Sequence, residues 1–270
     1  MITVQTNLPS LLAQENLRVN SEFQSTTIQR LTSGYRINQS GDDAAGLAVA
    51  NSYRSDVVEL TQGVRNANDG VSTLQIIDGG LSNIAKMLDR LKTLATEAAS
   101  ETFTGERTTL DAEYTDLLSE IDRQANNIGL GDTNTEWADD ISVYIGGGDA
   151  ATVSVDLTDG AVDSGTLLLA TDITTADNAT DAIGEIDAAL DALGVIQGTV
   201  GSGQNKLYYA TQLAQSQISS YSAAESRIRD ADMAAEAANL TKAQVLQQAS
   251  VAAMAQANSA PQAVLSLLRG

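Results

Sequence analysis

LTSGYRINQSGDDAAGLAVAN, Leu31 to Asn51, joins two segments of helical pattern and has a composition unlike either. Gly34 and Gly41 interrupt the pattern, and Ser33, Asn38, Ser40, Asp42 and Asp43 are residue types that cap helices or close turns. Arg36 and the Asp42/Asp43 pair place opposite charges a short way apart. Ala44-Ala45-Gly46-Leu47-Ala48 then opens the next helix with side chains small enough for another backbone to approach closely. On composition alone the stretch is an interhelical connection.

The segments on either side set the fold class. Asn7 to Leu31 reads as a helix, with Asn7 as N-cap, Pro9 in the first turn, and Leu8, Leu12, Val19, Phe23 and Leu31 near one face. Few charges interrupt it. From Ala44 to Ser100 a second helix carries a heptad-like seam of Val57, Leu60, Val64, Ala67, Val71, Leu74, Leu81 and Leu88. The seam slips at Asp78-Gly79-Gly80 and resumes at Ile84. Gly63 and Gly70 lie inside this helix, each costing about 1 kcal/mol relative to Ala, and mark either close contacts or a kink. A third helix fits Glu106 to Asn127, with Thr104 as its cap and a stripe of Leu110, Tyr114, Leu117, Ile121 and Ile128.

The period then changes to two. Ile141 to Ile145 alternates, Gly146-Gly147-Gly148-Asp149 intervenes, and Thr152 to Leu157 alternates again, a β-hairpin signal. Thr166 to Ile173 predicts a further short strand. Helical spacing returns by about Thr180 with Ile183, Ile186, Leu190, Leu193, Val200 and Leu207, its middle weakened by Gly198, Gly201 and Gly203. A small charged patch lies at Arg227 to Asp232. The last helix, from Met233 to Leu268, is rich in Ala and Gln and holds no acid beyond Glu236. The expected fold is mainly α, with long coiled-coil-like helices from both chain ends and a helical bundle that includes a small β-hairpin region at about 129–178. The expected division is residues 1–43 and 230–270 against 44–229.

Composition narrows the function. With no cysteine and no histidine there are no disulfides, thiolate nucleophiles, Cys/His zinc sites or histidine-based triads. Aromatics are only 4%, so small aliphatic side chains must do the packing that bulky rings do elsewhere. Residues 101–200 hold 21 acidic and two basic residues, whereas residues 1–55 are balanced and residues 201–270 carry a net +1. An acidic middle faces solvent and repels its own kind, and weakly charged ends can be buried against copies of themselves. No basic patch suits nucleic acid, and no apolar run is long enough to cross a membrane. The start, MITVQTNLPSLLAQ, lacks the features of a signal peptide, which on this ground alone reads as cytoplasmic and soluble.

Enzyme motifs are weak. Gly201-Ser202-Gly203 with Lys206 lacks the strand and the third glycine of a phosphate loop. Asp132-Thr-Asn134-Thr-Glu136 alternates oxygen ligands but has Trp137 where a calcium loop needs Gly. Adjacent carboxylates such as Asp139/Asp140 are expected by chance among 35 acidic residues, so neither a catalytic residue nor a cofactor or metal is expected. An acidic metal-dependent enzyme is the alternative from another class. The outer faces of the terminal helices carry Gln, Ala, Ser and Asn rather than Lys and Glu, which favours burial among copies over a monomeric hairpin. A head-to-tail contact that does not close gives a helical filament.

The order of residues in the opening stretch resembles the N-terminal signature of bacterial flagellins: Leu-Ser/Thr-Ser-Gly-x-Arg-Ile-Asn, a spacer, then Asp-Asp-Ala-Ala-Gly-x-Ala. Leu31 to Asn38 and Asp42 to Ala48 fill every defined position, with Tyr35 at the variable one. The hairpin and the tail, QVLQQAS at 244–250 through Gln256, Asn258 and Val264 to Leu268, resemble that family as well. The resemblance implies a secreted, extracellular structural subunit that self-assembles into the filament used for motility. Its ends would form an inner coiled coil, its middle an outer layer, and Gly34 to Ala45 the link between them. Inter-subunit or linking roles fall by resemblance on Leu31, Gly34, Arg36, Ile37, Asn38, Asp42, Asp43, Gln256, Asn258, Leu265 and Leu268. It also implies a flagellar export chaperone, the type III export apparatus, and cap and hook-junction proteins as partners. The related hook–filament junction protein is the runner-up. LDRLKTLA at 88–95 partly matches a segment sensed by a host Toll-like receptor, which implies contacts at Arg90, Leu94 and Glu113; the alternative is a structural surface arginine. Deleting residues 1–31 or 236–270 is expected to leave a soluble, folded middle that does not polymerise, and filaments from such a truncation, seen by electron microscopy, would remove the terminal-interface reading.

Overall fold

Helix starts and stops are set by the short polar side chains between them. In the computed structural model, which describes residues 7–102, 105–131, 140–148, 151–157, 160–169 and 171–269, with side chains through 259, the Asn7 side chain accepts the Ser10 N–H. Helix α1 (Leu8–Ser33) runs from there to Gly34, whose left-handed φ of 76° ends it with an N–H donated to Arg30 O at 2.9 Å. Asp43 begins α2 (Ala44–Ala99): its Oδ1 accepts the Gly46 N–H at 2.8 Å. Arg107 closes the other end of α2, donating from Nε to Ala98 O and from the guanidinium to Ser100 O. It is the first residue of α3 (Arg107–Asn127), which has Glu106 at the N-cap without a side-chain cap bond. The expected Thr104 cap lies outside the described residues.

The hairpin follows. Strands β1 (Asp140–Tyr144) and β2 (Thr152–Asp156) pair antiparallel, Ile141 opposite Val155 and Val143 opposite Val153. Among the described residues of Thr166 to Ile173 there is no strand, which differs from expectation. Asp163 gathers the local donors: its carboxylate accepts the Thr166 N–H and Oγ1, and its carbonyl accepts the Leu167 N–H. Those bonds hold the segment in turns, with Leu168 at φ 56°, and leave no extended edge to pair. Helix α4 (Ala176–Arg229) starts earlier than its apolar spacing suggests, because the Thr175 hydroxyl accepts the Asn178 N–H and caps it. It continues unbroken through Gly198, Gly201 and Gly203, so the segment faintly like a phosphate loop is helix. Helix α5 (Met233–Arg269) begins where Asp232 accepts the Ala234 and Ala235 N–H groups.

Packing divides the chain inside α2 and α4 into two units, Met1–Ser55 with Ser220–Gly270, and Asp56–Ser219. The first is built on the antiparallel pairing of α1 with α5. Along it Asn7 Nδ2 donates to Ala257 O, Ser10 Oγ to Asn258 Oδ1 and Asn20 Nδ2 to Ser250 Oγ, and Arg30 pairs with Glu236. From Ser10 to Arg30 the partner numbers fall as α1 advances. The second unit has the larger apolar core: Leu74, Ile77, Leu81, Ile84, Leu88 and Leu91 of α2, Tyr114 and Ile121 of α3, and Ile186, Leu193, Val200 and Leu207 of α4.

The hairpin lies on helical glycines of the second unit. A Cβ on Gly63 would stand 1.6 Å from Ile145 O, one on Gly70 2.7 Å from Val143 Cγ2, and one on Gly203 2.7 Å from Val155 Cγ1. These glycines therefore mark close contacts rather than a kink. At the expected slip in the seam, Gly80 does the same for α3, since its Cβ would meet Ile128 Cγ2 at 2.4 Å. A polar clasp finishes the hairpin: Tyr144 Oη donates to Glu59 Oε1 at 2.6 Å, and Asn66 Nδ2 donates to Tyr144 O. Gly→Ala inside a helix ordinarily stabilises by about 1 kcal/mol. Gly63→Ala is expected to reverse that sign and cost about 2–4 kcal/mol, read by denaturant unfolding of the full chain, because the obstructing atom is backbone.

Candidate assembly site: the charge-poor helix pair and its joint

The stretch after α1 is held from the opposite chain end. Gly34 O accepts the Ala231 N–H at 2.9 Å, the Arg36 N–H donates to Arg229 O at 2.7 Å, and Tyr35 bridges to Asp230. The Arg36 guanidinium donates to Ile228 O at 2.9 Å, and Arg229 stands over the Tyr35 ring at 4.1 Å. Ile37 is buried beneath. Glu225 in turn pairs with Arg229 one helical turn on. Tyr35, placed at the variable position of the motif, is thus one of the joint's contacts. The charged patch at Arg227 to Asp232 is its other half, which nothing in the local pattern of either segment announces.

Arg36 does not meet the two aspartates. Asp42 Oδ2 accepts the Asn38 and Gln39 N–H groups, both at 3.0 Å, and these bonds, Gln39's first, hold its carboxyl below the usual aspartate range. Asp43 caps α2, and Gly46 fits against it: a Cβ there would be 2.5 Å from Asp43 Oδ2 and 2.9 Å from Ile37 Cδ1. Gly34, Arg36, Ile37, Asn38, Asp42 and Asp43 therefore come together in one joint, while Leu31 is half-buried at the end of α1. Asn258 meets Ser10, and Gln256 is exposed, its carbonyl accepting the Ser259 hydroxyl. The side chains of Leu265 and Leu268 lie outside those described, as does the segment from Asp132 to Asp139.

The apolar stripe of α1 does not face α5. Leu8 is 63% exposed and Leu12 60%, with Leu11, Val19, Phe23 and Ile28 also open, and α5 exposes Val245 and Val251. The helix pair instead buries Ala13, Thr27, Ala243 and Glu236. The two units also differ in charge. The first holds eight Lys/Arg and eight Asp/Glu, the second seven and 27. In the second unit Arg90 and Glu113 form an exposed ion pair at 2.5 Å, while Leu94 is only 1% exposed and belongs to the core. Among the described residues no three acidic side chains gather as metal ligands, and no helix is long and apolar enough to cross a membrane.

Comparison with known proteins agrees with this arrangement at both ends. Residues 4–133 match the family described as the bacterial flagellin N-terminal helical region, and residues 183–268 match the bacterial flagellin C-terminal helical region. A flagellin of Halalkalibacterium halodurans is 38% identical, over 97% of this chain and 98% of its own length. The chain belongs to the bacterial flagellin family. Flagellin FlaB1 of Treponema pallidum is 34% identical over 97% of this chain and 98% of that one. The flagellar filament 33 kDa core protein of Treponema phagedenis is 32% identical with the same coverage. The function of this flagellin is structural: it is a subunit of the self-assembling filament of bacterial motility.

Asp42 supplies a test of the joint. Its carboxyl is depressed in the folded chain, so its contribution is present above the ordinary aspartate value of 3.8 and is lost as pH falls through the lower folded value. The Asn38 and Gln39 amide resonances are expected to move together in that acid window, and Asp42→Asn is expected to abolish the titration.

Proposed function

We propose that the outward apolar stripe of the α1–α5 pair is the surface by which copies of this flagellin join, and that the acidic second unit remains in contact with solvent. The observation that carries this reading is that Leu8, Leu12, Val19 and Phe23 are exposed on a helix already paired with another. A monomeric hairpin would turn such a stripe inward; a subunit of a polymer keeps it for its neighbours. Charge acts in the same direction. A unit with no net charge can be packed against itself at little electrostatic cost, and one with an excess of 20 carboxylates cannot.

The joint at Gly34 to Asp43 then has the task of holding α1 against α5, so that the stripe of every copy stands in the same place. The protein works as a scaffold rather than a catalyst. As a flagellin it is exported and functions outside the cell, with an export chaperone, the type III apparatus, and cap and hook-junction proteins as its partners. The Arg90–Glu113 pair is the accessible part of the segment resembling the Toll-like receptor contact, and Leu94 supports it from within. The hook–filament junction role is the less favoured one, since the relatives that align end to end include a filament core protein.

Leu12→Glu in the full chain tests the terminal surface. Leu12 is open in the subunit, so the helical content and melting temperature are expected to stay unchanged. Filament formation in a precipitating salt is expected to need a protein concentration roughly ten-fold higher or more, because a carboxylate would be buried at every contact. Normal filaments at the unsubstituted concentration would sink the reading.

A further inference from the structure

One cation of the first unit lacks an ordinary partner. Arg229, the last residue of α4, has a side chain only 16% exposed. Its Nε is buried with no hydrogen-bond partner among the described residues, and Glu225 stands at 3.7 Å, beyond hydrogen-bond reach. The neighbouring arginines are served otherwise: Arg227 donates from Nε to Ala223 O, and Arg36 donates to Ile228 O. A cation withdrawn from water needs compensation. The face of the Tyr35 ring offers it, with its centroid 4.1 Å from the guanidinium carbon.

Backbone sets the place of that ring. Tyr35 bridges to Asp230 between two bonds of the joint, Ala231 N–H to Gly34 O and Arg36 N–H to Arg229 O. Arg229 is therefore held at both ends, its carbonyl by Arg36 and its guanidinium by Tyr35. We propose that Tyr35 is a positioning residue, the latch of the joint: its ring seats the Arg229 guanidinium and so keeps the Arg229 carbonyl where the Arg36 N–H meets it. The hydroxyl plays no part, since the attraction comes from the ring face. A side chain at the variable position of the family motif thereby decides how firmly the two ends of this chain are joined. The latch closes within a single chain, whether or not copies meet through the terminal stripe.

Hydrogen exchange of the Arg36 and Ala231 amides in the full, unpolymerised chain reads how often the joint opens. Tyr35→Phe keeps the ring face and is expected to leave both rates unchanged. Tyr35→Leu removes it and is expected to speed both by roughly five-fold or more, while the amides of Leu81 and Leu88 in the second unit keep their rates. Arg229→Gln is expected to do the same. Joined to Tyr35→Leu it is expected to add nothing further, because both remove one contact. Protection in Tyr35→Leu equal to that of the unsubstituted chain would overturn the latch. So would exchange in Tyr35→Phe as fast as in Tyr35→Leu, or additive effects in the double variant. Each of these results leaves the terminal stripe standing, because Leu12→Glu tests that surface separately.

Discussion

The hydrogen bonds that tie the backbone of residues 34–36 to residues 228–231 are the constraint on which the first unit depends. They join segments almost 200 residues apart in sequence and fix where α1 meets α5. Without them the helix pair would have little to choose between registers. Its buried positions other than Glu236 are small, and its polar contacts are single bonds at Asn7, Ser10 and Asn20 and the Arg30–Glu236 pair. The joint sets the end point, and those bonds then fall into place along the pair.

Small residues play the corresponding part in the second unit. A helical glycine gives up about 1 kcal/mol of intrinsic stability. Gly63, Gly70 and Gly203 offset that by letting a two-stranded sheet lie directly on helix backbone, where any side chain would obstruct it. A hairpin of this size is not stable alone in water. Seated on glycines and clasped by Glu59 and Asn66, it becomes part of the helical core. This is also how a chain with so few aromatic residues packs well: it brings backbones closer instead of filling space with rings.

The same economy explains the division of charge. One unit is electrically balanced and exposes leucine and valine; the other concentrates acid, and its exposed apolar groups, among them Val58, Ile76, Leu168 and Val195, are scattered over several elements. Both patterns concern surfaces, and both are what a filament subunit requires. Copies must meet where desolvation costs little and be kept apart elsewhere by like charge.

Much of this was legible from the residues alone. Helix positions, the hairpin and the cap at Asn7 follow from local rules that act within a few residues, and the family motif is a string that needs no folding to be read. The residues could not say which way the stripe of α1 points, because periodicity defines a face without naming what covers it. They could not pair Arg36 with Ile228 rather than with Asp42, since charge proximity in sequence suggested the nearer partner. Nor could they tell a turn from a strand at Thr166 to Ile173, where the competing acceptor was Asp163. Sequence determined the elements and the family; only tertiary structure decided the joint, the role of its glycines and the direction of the apolar stripe, because these depend on atoms brought together from distant parts of the chain.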